Sequence, residues 1–197
     1  LDRFNDPAAG SLLGETGKTV FGAYFKLQSF IFMPVFGINN AGLAIAAYNY
    51  GARRPERIMA VLKYGVLGAS CLMLAGVAAF ELMPEVLLGF FNPDADMLAV
   101  GVPALRVMCL PFLAAGVCII FSGVFQGLGK SHYSMYVSMT RQLLVLIPVA
   151  YLLSLSGRID LVWLSFPIAE VASLVISIVL LVMLYRKKIR PLYDEIA

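Results

Sequence analysis

Charge is what this sequence has least of. Only 14% of its 197 residues are Asp, Glu, Lys or Arg, against about 25% in an average soluble domain, while 60% are hydrophobic. That balance excludes a soluble globular class and implies an integral membrane protein. Histidine is nearly absent too: His132 stands alone, so zinc or haem chemistry lacks ligands. Cys71, Cys109 and Cys118 fall in apolar stretches with no close pairing and read as small hydrophobes. No basic n-region precedes a short apolar run, so no signal peptide is read, and the sequence reads as a fragment. The turn GLGKS at 127–131 resembles a phosphate loop only superficially, because Gly123 lies six positions before Gly129 and breaks the GxxxxGK[ST] spacing. With neither a nucleotide motif nor a metal cluster, no enzyme is read. The net charge of +3 is too small and too sorted by position to argue for nucleic acid.

What is present is a series of long apolar runs, which sets the fold class as an all-α integral membrane protein. Five spans are expected, at about 19–50, 58–80, 97–126, 132–155 and 161–185. Residues 1 to 18, with Pro7, Gly10, Gly14 and Gly17, read as an exposed lead-in whose first few residues are the tail of a further helix. The acidic run ELMPEVLLGFFNPDAD at 81–96 is too short to span and fits a boundary segment that places Phe90 and Phe91 near the lipid surface. Pro103 and Pro111 fall inside the third span, and Pro111 is the candidate hinge, since an interior proline frees backbone carbonyls and bends the helix. Trp163 is expected near a membrane interface.

Charge orients the spans. One set of alternate loops and the carboxyl tail carries Arg53, Arg54, Arg57, Lys63, Lys130, Arg186, Lys187, Lys188 and Arg190, nine basic residues against the acidic Glu56, Asp194 and Glu195. The other set carries Arg3, Lys18 and Arg158 against eight acidic residues. By the positive-inside rule the amino end lies outside, the carboxyl end is cytoplasmic, and at least one further helix is expected upstream.

Four ionisable residues remain inside the spans: Lys26, Arg106, Arg141 and Glu170. A lone charge at the helix centre costs about 2.5–3.5 kcal/mol even on the lenient insertion scale, so each needs a cavity, a partner or the interface. At about 1.5 Å per residue, Glu170 and Arg141 fall at similar mid-membrane depth. Glu170 therefore has two candidate partners, Arg141 and Lys26, either as a static pin or in an ion pathway. Arg106 can snorkel outward. Gln28, Asn39 and Asn40 are the amide candidates for lining a pathway, with interhelical glue as the rival reading. Phe21, Phe25, Phe30, Phe32 and Phe36 read as lipid contact or core.

The run YFKLQSFIFMPVFGINNAGLAIAAYNYGARRPERI resembles the eighth helix and following loop of the multidrug and toxic compound extrusion (MATE) family, in its NorM-, DinF- and MepA-like members. GVFQGLGKSHYSMYVSMTRQ and WLSFPIAEVASLVIS are similar to its eleventh and twelfth helices. The resemblance implies part of the carboxyl-terminal six-helix lobe of a twelve-helix transporter, about helices eight to twelve. It also implies secondary active efflux of cationic or amphipathic compounds from the bacterial plasma membrane, by antiport against H+ or Na+ with no bound cofactor. The implied partners are a small-molecule substrate, the amino-terminal lobe and membrane lipid. Some sodium-coupled members carry an acid in the tenth helix; the third span here has none, and Glu170 stands where an acid is common in the twelfth. A lipid-linked oligosaccharide or polysaccharide flippase and a non-transporting scaffold are the rival functions.

Overall fold

The structure is a computed structural model that describes residues 7–155 and 159–194, with side chains described for 16–155 and 161–194. The elements run α1 (Pro7–Gly51), α2 (Pro55–Leu82), α3 (Pro84–Gly89), α4 (Ala95–Cys109), α5 (Phe112–Gly127) and α6 (Ser131–Met139), then a π-helical turn over Thr140–Leu146, α7 (Ile147–Ser154), α8 (Ile159–Val162) and α9 (Ser165–Leu184), a second π turn over Tyr185–Ile189, and α10 (Arg190–Asp194). Four helical stretches are long and apolar enough to cross a membrane, and α4 with α5 forms a fifth, bent span. The chain is a multi-pass, all-α membrane protein.

Helix α5 is the hub, packed against α1 and α2 on one side and α6 and α9 on the other. Small residues permit the close approach, as membrane packing without a hydrophobic drive requires. A Cβ on Gly127 would lie 2.8 Å from the Leu43 carbonyl oxygen, and one on Gly116 would lie 2.7 Å from Met73 Cγ. One core cluster fills the end around Val20, Phe80, Leu88, Leu105 and Phe112. A second fills the opposite end around Ala46, Ile58, Phe125, Leu184 and Ile189.

That second end is the basic one. Lys188 Nζ lies 5.9 Å from the Tyr50 ring centroid, and α10 packs against α2, so the α1–α2 loop and the carboxyl-terminal basic run meet. The turns there are helix caps. In both Asn49–Arg54 and Phe125–Lys130 a residue with positive φ, Arg53 at 53° and Gly129 at 71°, closes a Schellman motif. The bonds are Arg54 N–H to the Asn49 carbonyl (2.9 Å) and Lys130 N–H to the Phe125 carbonyl (2.8 Å). GLGKS is thus a cap between two helices. At the acidic end, Asp94 caps α4 by accepting from Met97 N–H at 2.7 Å.

Several sequence expectations are corrected. Helix α1 begins at Pro7 and runs unbroken for 45 residues, so Gly10, Gly14 and Gly17 lie within a helix and not in an irregular lead-in. Glycine costs a helix about 0.5–1 kcal/mol in lost conformational freedom relative to alanine, which three positions in so long a helix do not make prohibitive. Residues 1 to 6, assigned partly to a preceding helix, and the loop charge Arg158 lie outside the described residues. The helical stretch that holds the fifth span continues through the basic run to Asp194. Trp163, two residues before the start of α9, packs into the first core cluster. The third span breaks where proline places it: α4 and α5 meet at 45° across Leu110 and Pro111. The Met108 carbonyl beside the break accepts the Tyr24 hydroxyl at 3.3 Å, so α1 satisfies a backbone group at the bend. Pro103, by contrast, sits inside α4 without interrupting it.

Candidate transport cavity

On α1, residues 25, 28, 29, 32, 33, 36 and 39 recur at helical spacing and form one face. That face carries Phe25, Gln28, Ser29, Phe32, Met33, Phe36 and Asn39, and it walls a cavity of about 570 Å³. The other walls are Cys118, Ile119, Ser122 and Gln126 of α5, Val137 and Ser138 of α6, Arg141 of the first π turn, and Ser173 of α9. Aromatic rings, hydroxyls, amides and one cation thus line an opening in an otherwise apolar bundle, the mixture expected of a ligand site.

Arg141 is held by Glu170 of α9, with Nη1 to Oε1 at 2.8 Å and side-chain exposures of 38% and 14%. Glu170 sits behind the arginine and is not itself a lining residue. Its Oε2 is buried without a hydrogen-bond partner among the described residues, as is Asn39 Oδ1. Such acceptors are costly unless something binds them. The α5–α6 wall is stitched by the Ser134 hydroxyl donating to the Ser122 carbonyl at 3.0 Å and by the Gln126 amide reaching the Ser134 hydroxyl at 3.4 Å. Ser173 donates to Cys118 Sγ at 3.8 Å, so Cys118 has a polar neighbour and is more than an apolar filler.

Of the pathway candidates, the structure brings Gln28, Asn39 and Arg141 together on the cavity wall and sets Glu170 directly behind them. Lys26 and Asn40 are not there. A helix turns each successive side chain by about 100°, so Asn40 leaves the face that holds Asn39, and Lys26, two residues before Gln28, points away. Lys26 does not pair with Glu170; its ammonium lies 5.8 Å from the Phe91 ring centroid, and Asn40 is exposed. Arg106 reaches back to Glu81 at 3.9 Å instead of standing alone. Phe25, Phe32 and Phe36, read from sequence as lipid contact or core, face the cavity. Ser29, Met33, Ser122, Gln126, Ser138 and Ser173 escape the sequence reading. The α1 members follow a spacing legible in the sequence, whereas the others depend on which faces of α5, α6 and α9 meet. No group of three or more His, Cys, Asp or Glu fit to hold a metal occurs among the described residues.

The comparisons with known proteins fit this arrangement. Residues 8–152 match the MatE family. The chain is 24% identical over 151 residues to the multidrug export protein MepA of Staphylococcus aureus, covering 76% of this chain and 33% of that protein. It superposes on the solved MATE multidrug transporter DinF-BH at a TM-score of 0.77 with 33% identity, over 86% of this chain and 38% of that one. A MOP superfamily transporter from Pyrococcus furiosus, whose binding pocket is described as reversed in polarity, has the same fold at a TM-score of 0.82 with 21% identity, over 91% and 40% of the two chains. The chain therefore spans about a third of the length of its curated relatives and about two fifths of the solved chains. A match over most of the described residues, on a bundle with this helix order and this half-open cavity, makes the chain a member of the MatE family.

Proposed function

We propose that the chain is the carboxyl-terminal lobe of a secondary active multidrug efflux transporter, which exchanges cationic or amphipathic compounds for H+ or Na+ by alternating access. The observation that carries the reading is Arg141 on the wall of a half-open, aromatic and amide-lined cavity, ion-paired to Glu170 behind it. The amino-terminal lobe would close the open side, and rocking of one lobe against the other would switch the facing. Glu170 would bind the coupling proton at Oε2, weakening its hold on Arg141. Pro111 would act as the hinge within α4–α5. The basic end would face the cytoplasm and the α3 end the exterior.

Energised cells expressing the full-length protein should extrude a cationic dye, and an uncoupler and Glu170→Gln should each abolish that efflux. Uncoupler-sensitive efflux that persists in E170Q would remove Glu170 from coupling.

A second reading is favoured by one observation: Arg141 is the ionisable side chain on the cavity wall that is not a thiol. A cationic wall suits an anionic, lipid-linked substrate and hence a flippase. Accumulation of lipid-linked precursor in a null strain, without any loss of dye efflux, would establish that reading and displace the first.

A further inference from the structure

A second cavity lies on the outer surface of the bundle, between α1 and α2. It measures about 640 Å³ and is lined by Ile38, Ala41, Gly42 and Ile45 of α1 and by Arg57, Ala60, Val61, Tyr64 and Gly65 of α2. It exists because small residues face one another: Ala41 and Gly42 across from Ala60 and Gly65 leave no side chains to fill the space between two adjacent helices. From Ile38 to Ile45 is seven residues, about 10 Å of helix, enough for the upper part of an acyl chain.

The chemistry changes along the groove. Its inner stretch is apolar, while its mouth at the basic end holds Arg57, exposed and without a carboxylate partner among the described residues. Lys63 is not a lining residue; six residues and about 9 Å of helix further along α2 than Arg57, it adds a second cation beside the groove, with a side chain long enough to extend back toward the mouth. Its Nζ lies 5.8 Å from the ring centroid of Tyr64, a groove residue, and it too has no carboxylate partner there. An apolar slot between membrane helices that ends in unpaired basic groups and a tyrosine matches a phospholipid with a negatively charged headgroup. The acyl chain would take the slot and the phosphate the cations.

We propose that this groove is a binding site for an anionic phospholipid, seated with its phosphate at Arg57 and Lys63 and one acyl chain over Ala41, Gly42 and Ala60. The site is separate from the transport cavity, since the two share no lining residue. It therefore stands whether the transported substrate is a drug or a lipid-linked sugar.

The test uses the full-length protein, purified in detergent and titrated with phosphatidylglycerol or phosphatidylcholine, with bound lipid counted by native mass spectrometry. Wild type should retain one phosphatidylglycerol in preference to phosphatidylcholine. Each cation contributes about a fivefold preference. Arg57→Gln and Lys63→Gln should therefore each weaken phosphatidylglycerol retention about fivefold and together about 25-fold, while Lys187→Gln, at the same end but off the groove, leaves it unchanged. Ala60→Phe, which fills the slot without touching charge, should lower retention of both lipids. Equal retention in wild type, R57Q/K63Q and A60F would overturn the proposal. So would protection of Ala60→Cys from a thiol reagent in lipid-free protein, which would mean that the amino-terminal lobe occupies the groove.

Discussion

If the Arg141–Glu170 pair is a switch and not a pin, its energetic and transport roles separate in a double-mutant cycle. A fully buried pair that loses one partner costs about 3–5 kcal/mol, and a fully exposed one about 0–1 kcal/mol. With Glu170 at 14% and Arg141 at 38% side-chain exposure, the loss falls between, at about 2 kcal/mol. The two singles should differ. Glu170→Gln leaves a cation that still reaches the open cavity, whereas Arg141→Gln strands the less exposed carboxylate, so R141Q should be the more destabilising. The double variant R141Q/E170Q removes both charges and should recover about 1–2 kcal/mol relative to the sum of the singles. Denaturation of the purified full-length protein supplies these values, and dye efflux from energised vesicles supplies the other axis. A double variant that is stable but has lost uncoupler-sensitive efflux fits coupling. Single losses that add to within about 0.5 kcal/mol would mean that the 2.8 Å contact carries no interaction energy, and the reasoning would fail. Retained coupling in a stable double variant would leave a pin.

Other outcomes follow from the packing. A Cβ at Gly123 would overlap the Asn39 side-chain amide; Gly123→Ala should cost about 1–3 kcal/mol, and Asn39→Ala should restore part of that loss in a thermal melt of the double variant. Gly127→Ala meets the Leu43 backbone oxygen at 2.8 Å, which no side-chain change can move, so its loss should resist rescue by second-site substitution at Ala46. The Arg106–Glu81 contact is long at 3.9 Å and exposed on both sides; Glu81→Gln should shift stability by less than about 1 kcal/mol. Pro148 follows the π turn and cannot donate a backbone hydrogen bond. Pro148→Ala should allow a continuous α-helix that rotates the preceding residues by about 100° relative to those after it, read as a changed thiol-labelling rate at Ser138→Cys.

Much of the fold is legible in composition and spacing. Apolar runs longer than a bilayer needs, punctuated by RRPER and NPDAD, define the helices, because backbone groups in hydrocarbon have few alternatives to helical hydrogen bonds. The clustering of basic residues at one end follows from their alternation along the chain. Pro111 marks the bend correctly, since a missing N–H and a clashing ring leave a helix little choice. Pro103 shows the limit: the same residue type inside α4 produces no break, and only the surrounding packing distinguishes the two.

The candidate site divides in the same way. That Arg141 and Glu170 need partners is a statement about single residues in a low dielectric, and the sequence makes it. Which partner each takes is a statement about rotation of one helix against another. By depth Lys26 is a second candidate partner for Glu170 beside Arg141, yet it faces Phe91, because depth follows from counting residues while azimuth follows from which small residues allow which faces to touch. The π turn over Thr140–Leu146 adds a local shift in that azimuth that no periodicity shows. The sequence by itself determined a five-span membrane bundle with one basic end and too many polar groups inside it. The tertiary structure decided which of those groups share a cavity, because contact between helices depends on their relative rotation, which the order of residues along one helix does not contain.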